Sequence, residues 1–376
     1  MLCASAFLIL KAIHYFKQLA ILMLTVASVY SQEEPSLVDK LWELPQVYED
    51  EENSYFQEFE YLVYAQPQVA WVDSDNGYFE DSGFRRFRIG TRTRFLREWY
   101  MFNLIDVDPV DGPFYENITL SYLTWSPYGN SLSDRKKFQI SGGKQKVNFT
   151  REFTQSPKII KTVERSMLVN YHFPQFATGG WVSGAMGDHR YMVAIFSGDK
   201  EDEFSRFEDG GLCLVKLSKD IGKDWNVDLD LVLADDEQEV ISGINWGFSF
   251  SAEFNPDYSN GNFYFLGDLI ATIGKENQAD TYGVVLMPAW QLHKKLEFVT
   301  RLQLASSSEI DGLRLQKYYE RLAGDFRGEN YVAGYAGLNY FIRGHNLKLM
   351  GGLEYAKMDP GVFDGHTWFL ALRTWF

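Results

Sequence analysis

The run SGFRRFRIGTRTRFLREW, residues 82–99, gathers six arginines within thirteen positions of a chain whose formal net charge is −15. With a period of two it separates into two rows. Arg86, Arg88, Arg92 and Arg94 share one row with Gly90, while Phe87, Ile89, Thr91, Thr93 and Phe95 form the other. Guanidinium groups stay protonated and offer planar forks of donors that match phosphate or carboxylate oxygens. On a strand rising about 3.4 Å per residue, Arg86 to Arg94 covers roughly 27 Å. No acid interrupts the row, so it can hold positive potential along a wall. The alternative is a set of ion pairs with carboxylates from neighbouring strands, for which Asp228, Asp230, Glu297 and Glu354 are available.

A second basic segment, residues 133–168, carries Lys144, Lys146, Arg151, Lys158, Lys161 and Arg165 among other cations, against Asp134, Glu152 and Glu164. Its first part alternates, whereas NFTREFTQSPKIIKTVE does not. A strand therefore runs into a long irregular segment, and such segments in compact architecture are uncommon and often functional. Inside a wide barrel it is expected to fold inward over Asn148 to Val163 and narrow the lumen, since water or protein satisfies non-strand backbone there. An outer loop is the competing placement.

The elements that must position these cations are strands. Aromatics make up 16% of the chain, with 22 Tyr and 29 Phe, and Pro is scarce at 11. From about Glu60 onward, segments of about ten residues alternate apolar and polar between turn residues. Val227, Leu229, Leu231 and Leu233 alternate with Asn226, Asp228 and Asp230; Leu296, Phe298 and Leu302 alternate with Glu297, Arg301 and Gln303; Leu347, Leu349 and Leu353 alternate with Lys348 and Glu354. About sixteen such segments exceed an ordinary sandwich and match a membrane barrel. The expected fold is an all-β, transmembrane antiparallel barrel over residues 60–376. Within it the arginine row must face the lumen, because each arginine in mid-bilayer costs about 2–4 kcal/mol. Arg85 and Arg97 are expected to snorkel at the two interfaces. The final TWFLALRTWF places Trp368, Leu370, Leu372 and Phe376 on one face, and a terminal aromatic of this kind is what a barrel-assembly machinery recognises; Phe376 is the candidate assembly signal.

The amino terminus is separate material. Lys11, His14 and Lys17 precede the apolar run Leu19 to Ala27, with Val29 and Ser31 ahead of Gln32, the pattern of a secretory signal over residues 1–31. Residues 32–59 are acidic and without sustained period, an exposed periplasmic linker with room for one short helix. Removal of the leader takes Cys3 and leaves Cys213 alone, so no internal disulfide forms. Scattered histidines, the absence of nucleotide or zinc motifs, and a pI near 4.9 give no metal or cofactor site and argue against nucleic acid. A membrane-embedded hydrolase would need Ser and His on adjacent lipid-facing rows, which the inferred outward rows do not supply.

GGKQKVNFTREFTQSPKIIKTVERSML, GGWVSGAMGDHRYMVAIFSGD and YERLAGDFRGENYVAGYAGLNYFIRGHNLKLMGGLEYAKMD, with the arginine-rich early strand and Phe376, resemble the phosphate-selective porin O and P family over nearly all of residues 60–376. Gly143, Lys146, Phe149, Glu152, Glu164, Arg165 and Ser166 hold motif positions; Lys144 stands where the family tends to have Gln, and Asn148 where it has Pro. The resemblance implies a sixteen-stranded barrel in the bacterial outer membrane, usually a homotrimer, not an enzyme, passing phosphate or polyphosphate through a constriction lined by arginine and lysine. Two alternatives remain from the residues themselves: a general porin without phosphate preference, and a structural or adhesive barrel with a plugged lumen.

Overall fold

The structure is a computed structural model of the 376-residue chain. It describes residue 42 and residues 45–109, 114–131, 133, 136–172, 176–199, 201–208, 210–235, 244–256, 262–275, 278–324 and 326–376. The expected leader, residues 1–31, and most of the segment up to Pro45 lie outside the described residues. The chain divides at Pro45/Gln46, and the second unit, Gln46–Phe376, contains every strand discussed below.

That unit is one antiparallel sheet closed on itself. A short β1 (Gln46–Glu49) precedes sixteen wall strands, β2 to β17. In chain order these are β2 (Phe56–Ser74), β3 (Gly77–Phe95), β4 (Trp99–Val107), β5 (Tyr115–Trp125), β6 (Phe138–Lys146), β7 (Phe176–Met186), β8 (His189–Ser197) and β9 (Gly211–Ile221). There follow β10 (Trp225–Ala234), β11 (Ile244–Phe254), β12 (Phe263–Gly274), β13 (Thr281–His293), β14 (Leu296–Ser307), β15 (Asn330–Arg343), β16 (Leu347–Asp359) and β17 (Phe363–Trp375). Each pairs with its sequence neighbours, and β17 returns to β2 from Gly365↔Ser74 to Trp375↔Tyr64. Closure leaves no ring edge to be satisfied in lipid.

Alternation decides which residues face out. Leu229, Leu231, Leu233, Trp246, Phe248, Phe250, Leu302 and Trp368 are exposed on the outer wall, while Asp228, Asp230, Glu297, Arg301 and Glu354 are buried within. Exposed apolar rows outside and polar rows inside are the inverse of a soluble core and fit a membrane-spanning barrel. The short connections 96–98, 187–188, 222–224, 294–295 and 344–346 share one end with Phe56 and Phe376; the connections after β6, β8 and β14 lie at the other. No described helix is long and apolar enough to cross a membrane.

Two observations depart from the sequence expectation. The first wall strand begins at Phe56, ahead of Glu60, because Glu58 and Glu60 pair in register with Arg94 and Arg92 of β3. Gln46–Glu49, expected within a linker, is a strand along the start of β2, below the point where Phe376 exchanges backbone hydrogen bonds with Val63.

The segment after β6 folds inward. Gly143 permits the bend: its φ is +134°, and a Cβ there would stand 2.2 Å from the Ser121 carbonyl oxygen. Beyond it the chain enters the lumen and forms α1 (Arg151–Thr154) and α2 (Met167–His172). Val147, Phe149, Phe153, Met167, Leu168 and Val169 bury themselves against lumen-facing Trp181, Phe196, Leu214, Val232 and Val285. A further helix, α3 (Lys317–Ala323), comes from the β14–β15 connection and contributes Tyr319 to the same cluster.

Candidate functional site: the lumen cations and the inward loop

The arginine row of β3 faces the lumen, and adjacent strands meet it with carboxylates. Arg88 makes a two-pronged contact with Asp106 of β4, Nε to Oδ1 at 2.9 Å and Nη2 to Oδ2 at 2.8 Å. Arg92 Nη2 lies 2.7 Å from both Glu58 and Glu60 of β2. Arg94 bonds Glu58 and reaches Glu51, beyond β1. Arg86 differs: it donates to the neutral Gln66 Oε1 at 3.1 Å, with no carboxylate partner among the described residues. Carboxylates missing from β3 itself thus arrive from its neighbours, though from Glu51, Glu58, Glu60 and Asp106 rather than from the acids singled out in the sequence.

Arg85 does not snorkel outward. Register shifts between Gln66 and Pro67, so that Gln66 faces Arg86 while Pro67 faces Phe84. Arg85 is the extra residue of this bulge, and a bulge re-aims one side chain. Its Nε donates to Glu164 Oε1 of the loop at 2.8 Å. Arg97, at the β3–β4 turn, donates to the Glu52 carbonyl at 3.1 Å.

Lys146 and Arg165 meet at the end of α1. Lys146 Nζ donates to the carbonyls of Phe153, Thr154 and Gln155 at 2.9, 2.9 and 3.2 Å. Arg165 donates to those of Glu152 and Gln155 at 3.3 and 2.7 Å, and both cations lie over the Phe153 ring. Cations at a helix C-terminus match its dipole. The helix start is held by acids of the far wall: Thr150 N donates to Asp230 Oδ2 at 2.8 Å and Glu152 N to Asp268 Oδ2 at 2.9 Å. Thr150 adopts φ +64°, unusual for a β-branched residue, to make this contact.

Lys144 lies apart, bound to the carbonyls of Glu201 and Glu203 in the β8–β9 connection. Its cross-strand partner Ser121 shares its face, opposite to the lumen-facing Thr124–Ser141 pair, so Lys144 turns away from the lumen interior. Arg151 pairs with Glu253 at 2.8 Å and Asp228 at 3.4 Å, Lys161 pairs with Glu297, and Lys158 rests over Trp375.

The structure brings forward wall residues that the sequence reading did not select as sites. Lys348, Asn339, Arg373 and Arg301 donate in turn to the backbone carbonyls of Ile160, Lys161, Val163 and Glu164, at 2.6, 2.8, 2.9 and 2.7 Å. Together they fasten the loop to β14–β17. Their signal was position on the polar row of alternating strands.

Electrostatics follow from crowding. Burial by itself raises the Glu164 carboxyl, but Arg85 and Arg86, with hydrogen bonds from Arg85 and Gln68, bring it down to about 2. Burial lowers Arg165 to about 10 despite Glu152, which leaves it charged at neutral pH. Burial also lowers Lys158, against the pull of Glu60, to about 8. Space persists beside the loop as a cavity of about 160 Å³ lined by Tyr122, Thr124, Gln139, Gln145, Asn148 and Trp181 among others. Among the described residues no group of three or more His, Cys, Asp or Glu is arranged to hold a metal.

No protein-family model and no curated protein sequence matches the chain. Solved structures do. OprB of Pseudomonas putida aligns at TM-score 0.62 with 9% identity, covering 85% of this chain and 94% of its own. The anion-selective porin of Comamonas acidovorans aligns at 0.61 with 13% identity, covering 85% and 99%. OmpT, an outer membrane protein of Vibrio cholerae in its trimer form, aligns at 0.54 with 10% identity, covering 85% and 99%. At these identities the likeness is one of fold: a closed sixteen-stranded barrel with the architecture of outer-membrane porins.

Proposed function

We propose that the chain is an anion-selective porin of the bacterial outer membrane, with phosphate or polyphosphate as its solute. The observation that carries this reading is the unbalanced charge around the inward loop. Arg86 bonds a neutral amide and Lys146 bonds three carbonyls, neither with a carboxylate among the described residues, and Arg165 joins Lys146 at the α1 C-terminus. Arg88, Arg92 and Arg94 are largely matched by acids, so they shape the wall while Arg86 and Lys146 leave positive potential beside the inward loop. Arg151, Lys158 and Lys161 line the loop beside them. At an effective dielectric near 20, one cation about 5 Å from a unit negative charge gains roughly 3 kcal/mol, enough to offset part of a phosphate's dehydration.

The resemblance of residues 143–166 to the phosphate-selective O and P porins supports the solute, and the Comamonas neighbour, itself anion-selective, supports the sign. The trimer form of the Vibrio neighbour supports a homotrimer, and Phe376 is the proposed contact for barrel assembly. Diffusion through a charged constriction requires no catalytic group, cofactor or metal. Phosphate block of chloride current across planar bilayers tests the solute: block should weaken several-fold in Lys146→Gln or Arg165→Gln. Equal block in these variants would leave a general porin.

One observation favours a second reading. The loop buries Val147, Phe149, Phe153 and Leu168 against lumen residues, as a plug would. A barrel that folds yet carries no current would establish that alternative.

A further inference from the structure

Lys348 of β16 and Arg373 of β17 are directly paired across the sheet. Both are lumen-facing and closed off, at 0% and 1% exposure. Like charges opposite one another on a sheet repel, and buried charges demand a counter-charge.

Their immediate partners supply none. Lys348 Nζ donates to the Ile160 carbonyl at 2.6 Å and stands 3.5 Å from His345 Nδ1. Burial, then Lys348 and Lys161, lowers His345 in its turn to about 3, so the ring is neutral. Arg373 Nη2 donates to Gln68 Oε1 at 2.6 Å and the Val163 carbonyl at 2.9 Å, while its Nε and Nη1 are buried with no hydrogen-bond partner. Carboxylates in the neighbourhood act on the pair only from a distance, each being hydrogen-bonded to other groups. Glu297 takes Lys161 and Asn339, Glu164 takes Arg85 and Gln68, and Glu354 takes Arg301. Two buried basic side chains, with two unused guanidinium donors, therefore face the same stretch of loop.

We propose that Lys348 and Arg373 hold a halide-sized inorganic anion, occluded between the barrel wall and loop residues 160–163. The ion neutralises the pair, satisfies Arg373 Nε and Nη1, and fixes the loop whose carbonyls the same two residues grip. It is a resident ion rather than a passing one, so the inference stands apart from conduction.

Bromide is the probe. Crystals of the full barrel grown in bromide should show an anomalous peak within hydrogen-bond distance of Arg373 Nη1; a water there, or no density, overturns the proposal. In solution, urea unfolding at fixed ionic strength, with chloride exchanged for the bulky gluconate, counts bound ions. Each resident chloride raises the folding equilibrium constant about tenfold per tenfold rise in chloride above its dissociation constant. The double variant Lys348→Met with Arg373→Met should lose one such ion from that slope, and an unchanged slope contradicts the assignment. Should the variant fail to fold, the wild-type bromide map decides alone. Bromide beside Arg86 and Lys146 but absent here would overturn this inference and leave the porin reading standing; bromide here in a barrel without current would do the reverse.

Discussion

Lys158 Nζ stands 3.5 Å from the centroid of the Trp375 ring and 4.8 Å from that of Tyr64. The pair ties the loop to the end of the last strand, and such a contact is worth about 0.5–2 kcal/mol. Burial lowers the ammonium from 10.5 to about 8, with Glu60 opposing. Between those two values the unfolded chain binds more protons than the folded one, so stability should rise with pH across that window. Lumen charge moves the other way. Anion preference should fall as pH rises through about 8 in the wild type and stay flat in Lys158→Gln, as reversal potentials would record.

Arg88 and Asp106 are a part-buried, two-pronged ion pair. Replacing Asp106 with Asn strands the guanidinium and should cost about 3 kcal/mol in urea unfolding. Arg88→Met with Asp106→Leu should recover part of that loss. A single variant as stable as the wild type would mean that water already screens the pair.

Gly143 and its neighbour Gly142 make an internal control. An alanine at Gly143 would put its Cβ 2.2 Å from a backbone oxygen at φ +134°, whereas at Gly142 the nearest atom is 3.8 Å away. Gly143→Ala should lower the yield of heat-modifiable barrel sharply, and Gly142→Ala should not.

Phe376 closes the ring through Phe376 N to the Val63 carbonyl at 2.9 Å. Its deletion should reduce the outer-membrane level of folded barrel by several-fold. A smaller loss on purified refolding than in cells would assign the effect to assembly; equal losses would assign it to the missing backbone pair.

Much of this molecule was legible because lipid and water sort side chains by a period of two. Leu229, Leu231 and Leu233 against Asp228 and Asp230, and Leu302 against Arg301 and Gln303, put each residue on the face it occupies. The inward segment was legible as the place where alternation stops, after Lys146. Arg85 was not, because a bulge shifts parity by one residue and nothing in its own strand announces it. Nor were the partners of Arg92 and Arg94, since register between strands selects Glu58, Glu60 and Glu51 from a chain with 51 acidic residues. Lys144 misled for a related reason: period two places it beside Lys146, but Lys146 is the last residue of β6, where the chain leaves the wall for the lumen, while Lys144 stays in the strand and reaches the β8–β9 connection.

Arg86 and Lys146 carry positive charge that no carboxylate contacts among the described residues, and the zero-current potential of single channels in a tenfold KCl gradient tests its role most directly. The wild-type barrel should show a potential displaced toward the chloride equilibrium value, and Arg86→Gln with Lys146→Gln should carry it most of the way to zero, with the difference shrinking in high salt as screening sets in. A wild-type potential on the potassium side, or one that the double variant leaves unmoved, would contradict the account.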